Sequence, residues 1–109
     1  MLVAFGGNAL IKSGQEGTAE QQLENLQLTM SQIAKLSRKY KIVITHGNGP
    51  QVGNLLLQQE SCDEVPKMPL EIIGAMTQGQ IGYHFHHFWI ADPIGCKDNH
   101  LILRIKDAK

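Results

Sequence analysis

The sequence predicts an α/β fold, a parallel sheet with helices on both faces. Three observations carry this reading. Two short apolar runs are each cut off by glycine, each is followed by a segment with helical periodicity, and the resulting order β-α-β-α-α leaves no hairpin between the strands.

The first strand is the apolar run Leu2, Val3, Ala4 and Phe5, stopped by Gly6-Gly7. After a loop containing Gly14 and Gly17, Thr18 and Gln21 stand at the spacing of a capping box, so a helix should begin there. Leu23, Leu26, Met30, Ile33 and Ala34 give it an inward stripe. Gln22, Glu24, Asn25, Gln32 and Lys35 fill the other face, and the basic cluster Arg38, Lys39 and Lys41 marks its end. Residues 42–45 are a β-branched second strand, again ended by glycine. Gly49-Pro50 opens a second helix, with proline at a tolerated first-turn position and Val52, Leu55 and Leu56 as the inward stripe. A polar stretch with Pro66 and Pro69 separates it from a third helix over residues 70–88. On that helix Ala75, Gly79 and Gly82 form a face almost without side chains, which another backbone or a ligand could approach closely. Beyond it, residues 92–95 read as a turn and 101–105 as a further strand.

Composition narrows the function classes. The chain has 109 residues, the length of one small domain, with ten Lys plus Arg balanced by ten Asp plus Glu. A formal charge of zero gives no basic field for nucleic acid or anionic lipid. At 42% hydrophobic and 18% charged residues a packed core is expected. Apolar runs such as residues 2–5 fall far short of the roughly 18 that a transmembrane helix needs, and no secretory signal is legible, so the expected compartment is the cytoplasm. Cys62 and Cys96 lack the C-x-x-C spacing of a zinc knuckle and read as reduced thiols.

The chemistry concentrates in two glycine clusters at successive strand ends, where open α/β sheets bind their ligands. Gly6-Gly7-Asn8-Ala9-Leu10 follows the first strand and His46-Gly47-Asn48-Gly49-Pro50-Gln51-Val52-Gly53 the second, so two adjacent loops could line one phosphate-sized pocket. Two familiar nucleotide motifs fit less well. A Walker loop starting at Gly6 fails because Ile11 occupies an essential glycine position. Residues 47–53 resemble a dinucleotide fingerprint stretched by one residue, with no strand and ribose-binding carboxylate about twenty residues on. A small dinucleotide-binding module stays as an alternative.

Five segments together resemble the N-terminal part of carbamate kinases, within the amino-acid kinase family: residues 6–10, 17–21 and 44–53, Pro69-Leu70-Glu71, and Gln78-Gly79-Gln80-Ile81-Gly82-Tyr83. The likeness covers residues 1–88 or so. It implies an N-terminal fragment of the amino-acid kinase fold over residues 1–89, followed by a divergent tail at 90–109. It further implies reversible phosphoryl transfer between ATP and carbamate, carbamoyl phosphate and ADP giving ATP, with Mg2+ accompanying the nucleotide, and a homodimer in the complete protein. By residue, the resemblance puts Gly6, Gly7 and Asn8 against the transferring phosphate and Gly47, Asn48 and Gly49 at the carbamate or carbamoyl phosphate end. Lys12, a lysine in the loop after the first strand, and His46 and Gln78 are further candidates, whereas Gln51 reads as a helix-surface or capping residue.

In such kinases the nucleotide-binding half lies beyond the matched region, so this chain is expected to be inactive alone. A noncatalytic remnant that binds an anion or a full-length homologue is the alternative. A sheet of so few strands would leave an unpaired edge prone to self-association. His84, His86 and His87 have no carboxylate in the same turn, so no metal site is read there, and the histidines are taken as polar residues on the third helix. Phe85, Phe88 and Trp89 are expected to pack.

Overall fold

The computed structural model describes residues 1–91 and 102–103. Strand β1 (Leu2–Phe5) leads through a 3-10 turn at Gly7–Ala9 to helix α1 (Ala19–Ser37), strand β2 (Val43–His46), helix α2 (Gly49–Glu60), helix α3 (Leu70–Ala91) and the two-residue strand β3 (Ile102–Leu103). The sheet order is β1-β2-β3 and both pairings are parallel, with Leu2 opposite Val43, Phe5 opposite His46, and β2 against β3 at Val43–Ile102 and Ile44–Leu103. The residues read as a turn at 92–95, Cys96, and the rest of the tail lie outside the described residues, as do the side chains of Phe88 and Trp89.

This register decides which side chains meet. Val3, Phe5, Ile44 and His46 share one sheet face because side chains alternate along each strand. That face carries the core: Phe5, Ile42 and Ile44 pack with Leu10, with Leu26, Met30 and Ile33 of α1, and with Ile81 and Phe85 of α3. Full burial of a residue such as Ile44 or Phe85 contributes about 1.5–3 kcal/mol. The Phe5 and Phe85 rings are 5.1 Å apart at a tilt of 59°, a favourable aromatic arrangement. Leu2 and Ala4 on the opposite face are exposed, and among the described residues the helices in the core lie on the Phe5–Ile44 face.

Helix α1 begins with the capping box. The Gln21 N–H donates to the Thr18 hydroxyl oxygen at 3.2 Å and Gln21 Oε1 accepts from the Thr18 N–H at 3.3 Å. Its buried stripe is Gln22, Leu26, Met30, Ile33 and Ser37, so the sequence pattern misplaced Gln22 on the polar face. Gln22 tolerates burial because its amide donates to the Gly17 carbonyl at 2.9 Å. The loop before α1 is held by Asn25, whose amide donates to Leu10 O and Gln15 Oε1, both at 2.7 Å.

Two expectations for the later helices change. The α2 stripe Val52, Leu55 and Leu56 is only half-buried, and Gln51 is that helix's buried residue. On α3, Ala75 and Gly79 are exposed and Gly82 is half-buried, and a Cβ added at Gly79 would meet no atom within 4 Å, so Ala75 and Gly79 take no part in the core of the described residues. The face that packs is instead Ile73, Thr77, Ile81 and Phe85, at intervals of four.

Gly14 and Gly17 both have φ of +83°, where a side chain is strained by about 1–2 kcal/mol. At Gly14 a Cβ would enter open space. At Gly17 it would lie 2.8 Å from Ile11 Cδ1, and the backbone is pinned on both sides, its N–H donating to Gln21 Oε1 at 2.9 Å and its carbonyl accepting from Gln22. Gly17→Ala is therefore expected to lower stability by about 2 kcal/mol and Gly14→Ala by about 1 kcal/mol. Urea denaturation of the two variants checks the order.

Candidate functional site

The two glycine loops meet because the last rung of the β1–β2 ladder ties the ends of the two strands together. The Gly47 N–H donates to the Phe5 carbonyl at 2.8 Å, which sets Gly6 and Gly47 side by side at the carboxyl end of the sheet. The first loop turns at once: the Ala9 N–H donates to Gly6 O at 3.0 Å, closing the 3-10 turn that contains Gly7 and Asn8 and packs against α2. Gly6 and Asn8 are exposed. Gly49 is the first residue of α2, exposed, and neither Gly6 nor Gly49 would bring an added Cβ within 4 Å of another atom.

Asn48 occupies the N-cap of α2 but makes no side-chain cap bond. Its amide instead donates to Thr77 Oγ1 on α3 at 3.0 Å, and the Thr77 hydroxyl donates to Gly74 O at 2.7 Å. Asn48 and Thr77 are both buried. With Pro50 supplying no N–H, the first-turn amides of Gly49 and Gln51 carry no side-chain cap, and the positive end of the helix dipole faces the loops. Backbone amides at such a terminus can hold an anion.

His46 lies beneath the loops, 4% exposed. Its Nδ1 is 3.2 Å from the Gly47 carbonyl oxygen, so Nδ1–H is the donor, and its ring centroid is 6.0 Å from that of Phe85. His46 is thus packed and at the same time bonded to the second loop. Gln51, in the first turn of α2, is 1% exposed, which corrects the surface reading. Neither atom of its side-chain amide has a hydrogen-bond partner among the described residues, and the same holds for His46 Nε2. The helical pairing of Gln51 with half-buried Leu55 was the signal that could have found it.

The other candidates lie further out. Gln78 is half-buried on α3, next to Thr77. Lys12 is exposed on the loop between β1 and α1, its backbone N–H donating to Gln15 Oε1 at 3.1 Å. Thr77 was missed in the sequence because a threonine within a helix carries no motif of its own. His84 is 4% exposed, whereas His86 and His87 are exposed. Among the described residues no three His, Cys, Asp or Glu side chains come together as a metal site.

Adjacent parallel strands ending in glycine loops, one of them opening an uncapped helix, define an α/β protein able to present backbone amides to an anion. The chain belongs to the amino acid kinase family, whose model matches residues 1–101. Within it the similarity is to carbamate kinases. The carbamate kinase of Thermococcus kodakarensis is 52% identical over 88 residues, which cover 76% of this chain and 28% of that protein. Among solved structures, a carbamate kinase from Giardia lamblia bound to AMP-PNP matches with a TM-score of 0.74 and 42% identity, over 80% of this chain and 28% of that one. A crystal structure from Aeropyrum pernix K1 matches with a TM-score of 0.78 and 38% identity, over 92% of this chain and 33% of that one. The chain thus spans just over a quarter of the length of the Thermococcus relative. No helix among the described residues is long and apolar enough to cross a membrane.

Burial, followed by the neighbouring charge of His87, holds the His84 imidazole below its ordinary pKa of 6.5. Below pH 6.5 the unfolded chain therefore binds a proton that the folded chain resists, so stability falls with pH until the folded-state pKa is passed. The slope attributable to one such group is at most about 1.4 kcal/mol per pH unit. Melting temperatures measured from pH 7.5 downward should drop for the wild type and drop less for His84→Asn. Equal slopes would contradict this role.

Proposed function

We propose that this chain is the carbamoyl-phosphate side of a carbamate kinase-type phosphotransferase, whose reaction is the reversible transfer of a phosphoryl group between ATP and carbamate. The observation that carries the reading is the Gly47–Phe5 hydrogen bond, which makes one cradle of two loops. Phosphoryl transfer depends mainly on alignment and on neutralising spread negative charge, and amides of glycine loops do both without side-chain bulk. Amides of Gly6, Gly7 and Asn8 take the transferring phosphate. Gly49, with Asn48 fixing the turn, takes the carbamate end, while Gly47, its N–H held by the Phe5 carbonyl and its own carbonyl by His46, shapes that end. Lys12 and Gln78 are auxiliary contacts.

ATP or ADP is the co-substrate, as the AMP-PNP complex of the Giardia enzyme supports, and its site is assigned to sequence beyond the matched portion. Mg2+ would neutralise the nucleotide phosphates. The described residues do not fit a protein-held magnesium site, so Mg2+ is assigned to the nucleotide and no step here runs through it. A homodimeric complete protein in the cytoplasm accords with the same reading.

Two measurements test it. The 109-residue chain is expected to bind carbamoyl phosphate in calorimetry and to form no ATP from ADP, Mg2+ and carbamoyl phosphate beyond a chain-free control. ATP above that control would contradict the assignment of the nucleotide site elsewhere. Gly49→Leu adds a side chain where the protein itself offers no obstruction, and leucine favours helix over glycine by close to ~1 kcal/mol. Stability should hold or rise while carbamoyl phosphate affinity falls at least about tenfold, the loss of one charge-assisted contact set. Unchanged affinity would defeat the role given to this loop.

A further inference from the structure

We propose that Asn48-Gly49 is a site of covalent self-modification, the loss of the Asn48 side-chain amide as ammonia, which the folded chain suppresses through two hydrogen bonds and which opening of the second glycine loop releases. Asn48 is the one asparagine of the sequence followed by glycine, since Asn8, Asn25, Asn54 and Asn99 precede Ala9, Leu26, Leu55 and His100. The difference is steric, because glycine has no Cβ to crowd its own nitrogen. In the reaction the Gly49 nitrogen gives its proton to solvent base and attacks Asn48 Cγ. The bond from Cγ to Nδ2 breaks, ammonia leaves, and a five-membered succinimide closes over the two residues. Water then opens either carbonyl of that ring and leaves aspartate or isoaspartate at position 48. Nothing is oxidised or reduced, and water is the other reactant.

The fold holds this residue away from the reactive geometry. Ring closure requires the Gly49 nitrogen and Asn48 Cβ to lie on the same side of the Cα–C bond. Asn48 has φ −141° and ψ 14°. That ψ nearly eclipses the Gly49 nitrogen with the backbone nitrogen of Asn48, and the tetrahedral Cα sets Cβ well away from both. Rotating ψ would swing the Asn48 carbonyl off the Val52 N–H, which donates to it at 2.9 Å in the first turn of α2. The side chain is locked as well. Its amide N–H donates to Thr77 Oγ1 at 3.0 Å, and Asn48 and Thr77 are both buried, so release strands buried polar groups. The Thr77 hydroxyl has one proton, committed to Gly74 O at 2.7 Å, so toward position 48 its oxygen can only accept. An amide meets that demand and a carboxylate does not. The product therefore sets a negative charge in the second loop and cannot remake the native bond, whatever the loop binds.

The test incubates the 109-residue chain in mildly alkaline buffer, native and in denaturing urea. Peptide mass spectrometry, with fragmentation to locate the residue, follows the exchange of ammonia for water, and isoaspartate-specific methylation confirms the product. In urea Asn48 should convert at least about tenfold faster than in the native chain, because local opening then costs nothing, while Asn8, Asn25 and Asn54 change little. A Cβ added at Gly49 meets no atom within 4 Å, so Gly49→Ala fits the fold and, by crowding the nitrogen, should remove most of the conversion in urea. Under native conditions Thr77→Val keeps the shape without the acceptor and should convert about fivefold or more faster than the wild type, the scale of one lost buried hydrogen bond. Thr77→Ser keeps the hydroxyl and should match the wild type. Equal native and unfolded rates, or conversion in urea undiminished by Gly49→Ala, would overturn the proposal. Thr77→Val no faster than the wild type, or Thr77→Ser as fast as Thr77→Val, would overturn the lock assigned to Thr77. If Thr77→Val does not fold, the wild-type ratio between urea and native buffer decides.

Discussion

The arrangement depends on one backbone hydrogen bond, from the Gly47 N–H to the Phe5 carbonyl at 2.8 Å. It is the last rung of a parallel ladder, joining the final residue of β1 to the residue after β2, and the chain turns away within two residues of each strand end. Without that rung the glycine clusters would be two separate surface turns. With it they are neighbouring walls of a single place, one wall a 3-10 turn and the other the opening of a helix. Glycine suits both walls for the same reason: at Gly6 and Gly49 a side chain would stand in the open space a ligand needs.

What holds the bond in place lies underneath. Phe5 and His46, the last residues of their strands, both meet Phe85 of α3, so the strand ends are anchored in the core just before the loops begin. Asn48 is tied to the same helix through Thr77. Helix α3 therefore serves as the floor of the candidate site, fixing the second loop at successive points along its buried face, while α1 closes the core beside it. This division explains why the loops can remain open to solvent and still be positioned: their backbone faces outward and their anchoring side chains face in.

The features that were legible in the sequence are those with a local signature. Thr18 and Gln21 announce α1 through a capping box, the apolar runs ending in glycine announce β1 and β2, and the paired glycine clusters mark the carboxyl edge of the sheet. What escaped was polar burial. Gln22, Gln51, Thr77 and His84 all sit inside, and a hydrophobic pattern assigns such residues to the surface because it scores side chains singly, blind to the partner that makes burial tolerable for two of them. For Gln22 that partner is the Gly17 carbonyl, and for Thr77 it is Asn48, 29 positions away. The small-residue stripe on α3 lies apart from this core, with Gly79 facing open space.

The central claim is that the two loops act as one anion site. Titrating the isotopically labelled chain with carbamoyl phosphate and following the backbone amide resonances of Gly6, Gly7, Gly49 and Gln51 tests it most directly. One site predicts that all four move together with a single dissociation constant. Movement confined to one loop, or different constants for the two, would contradict it.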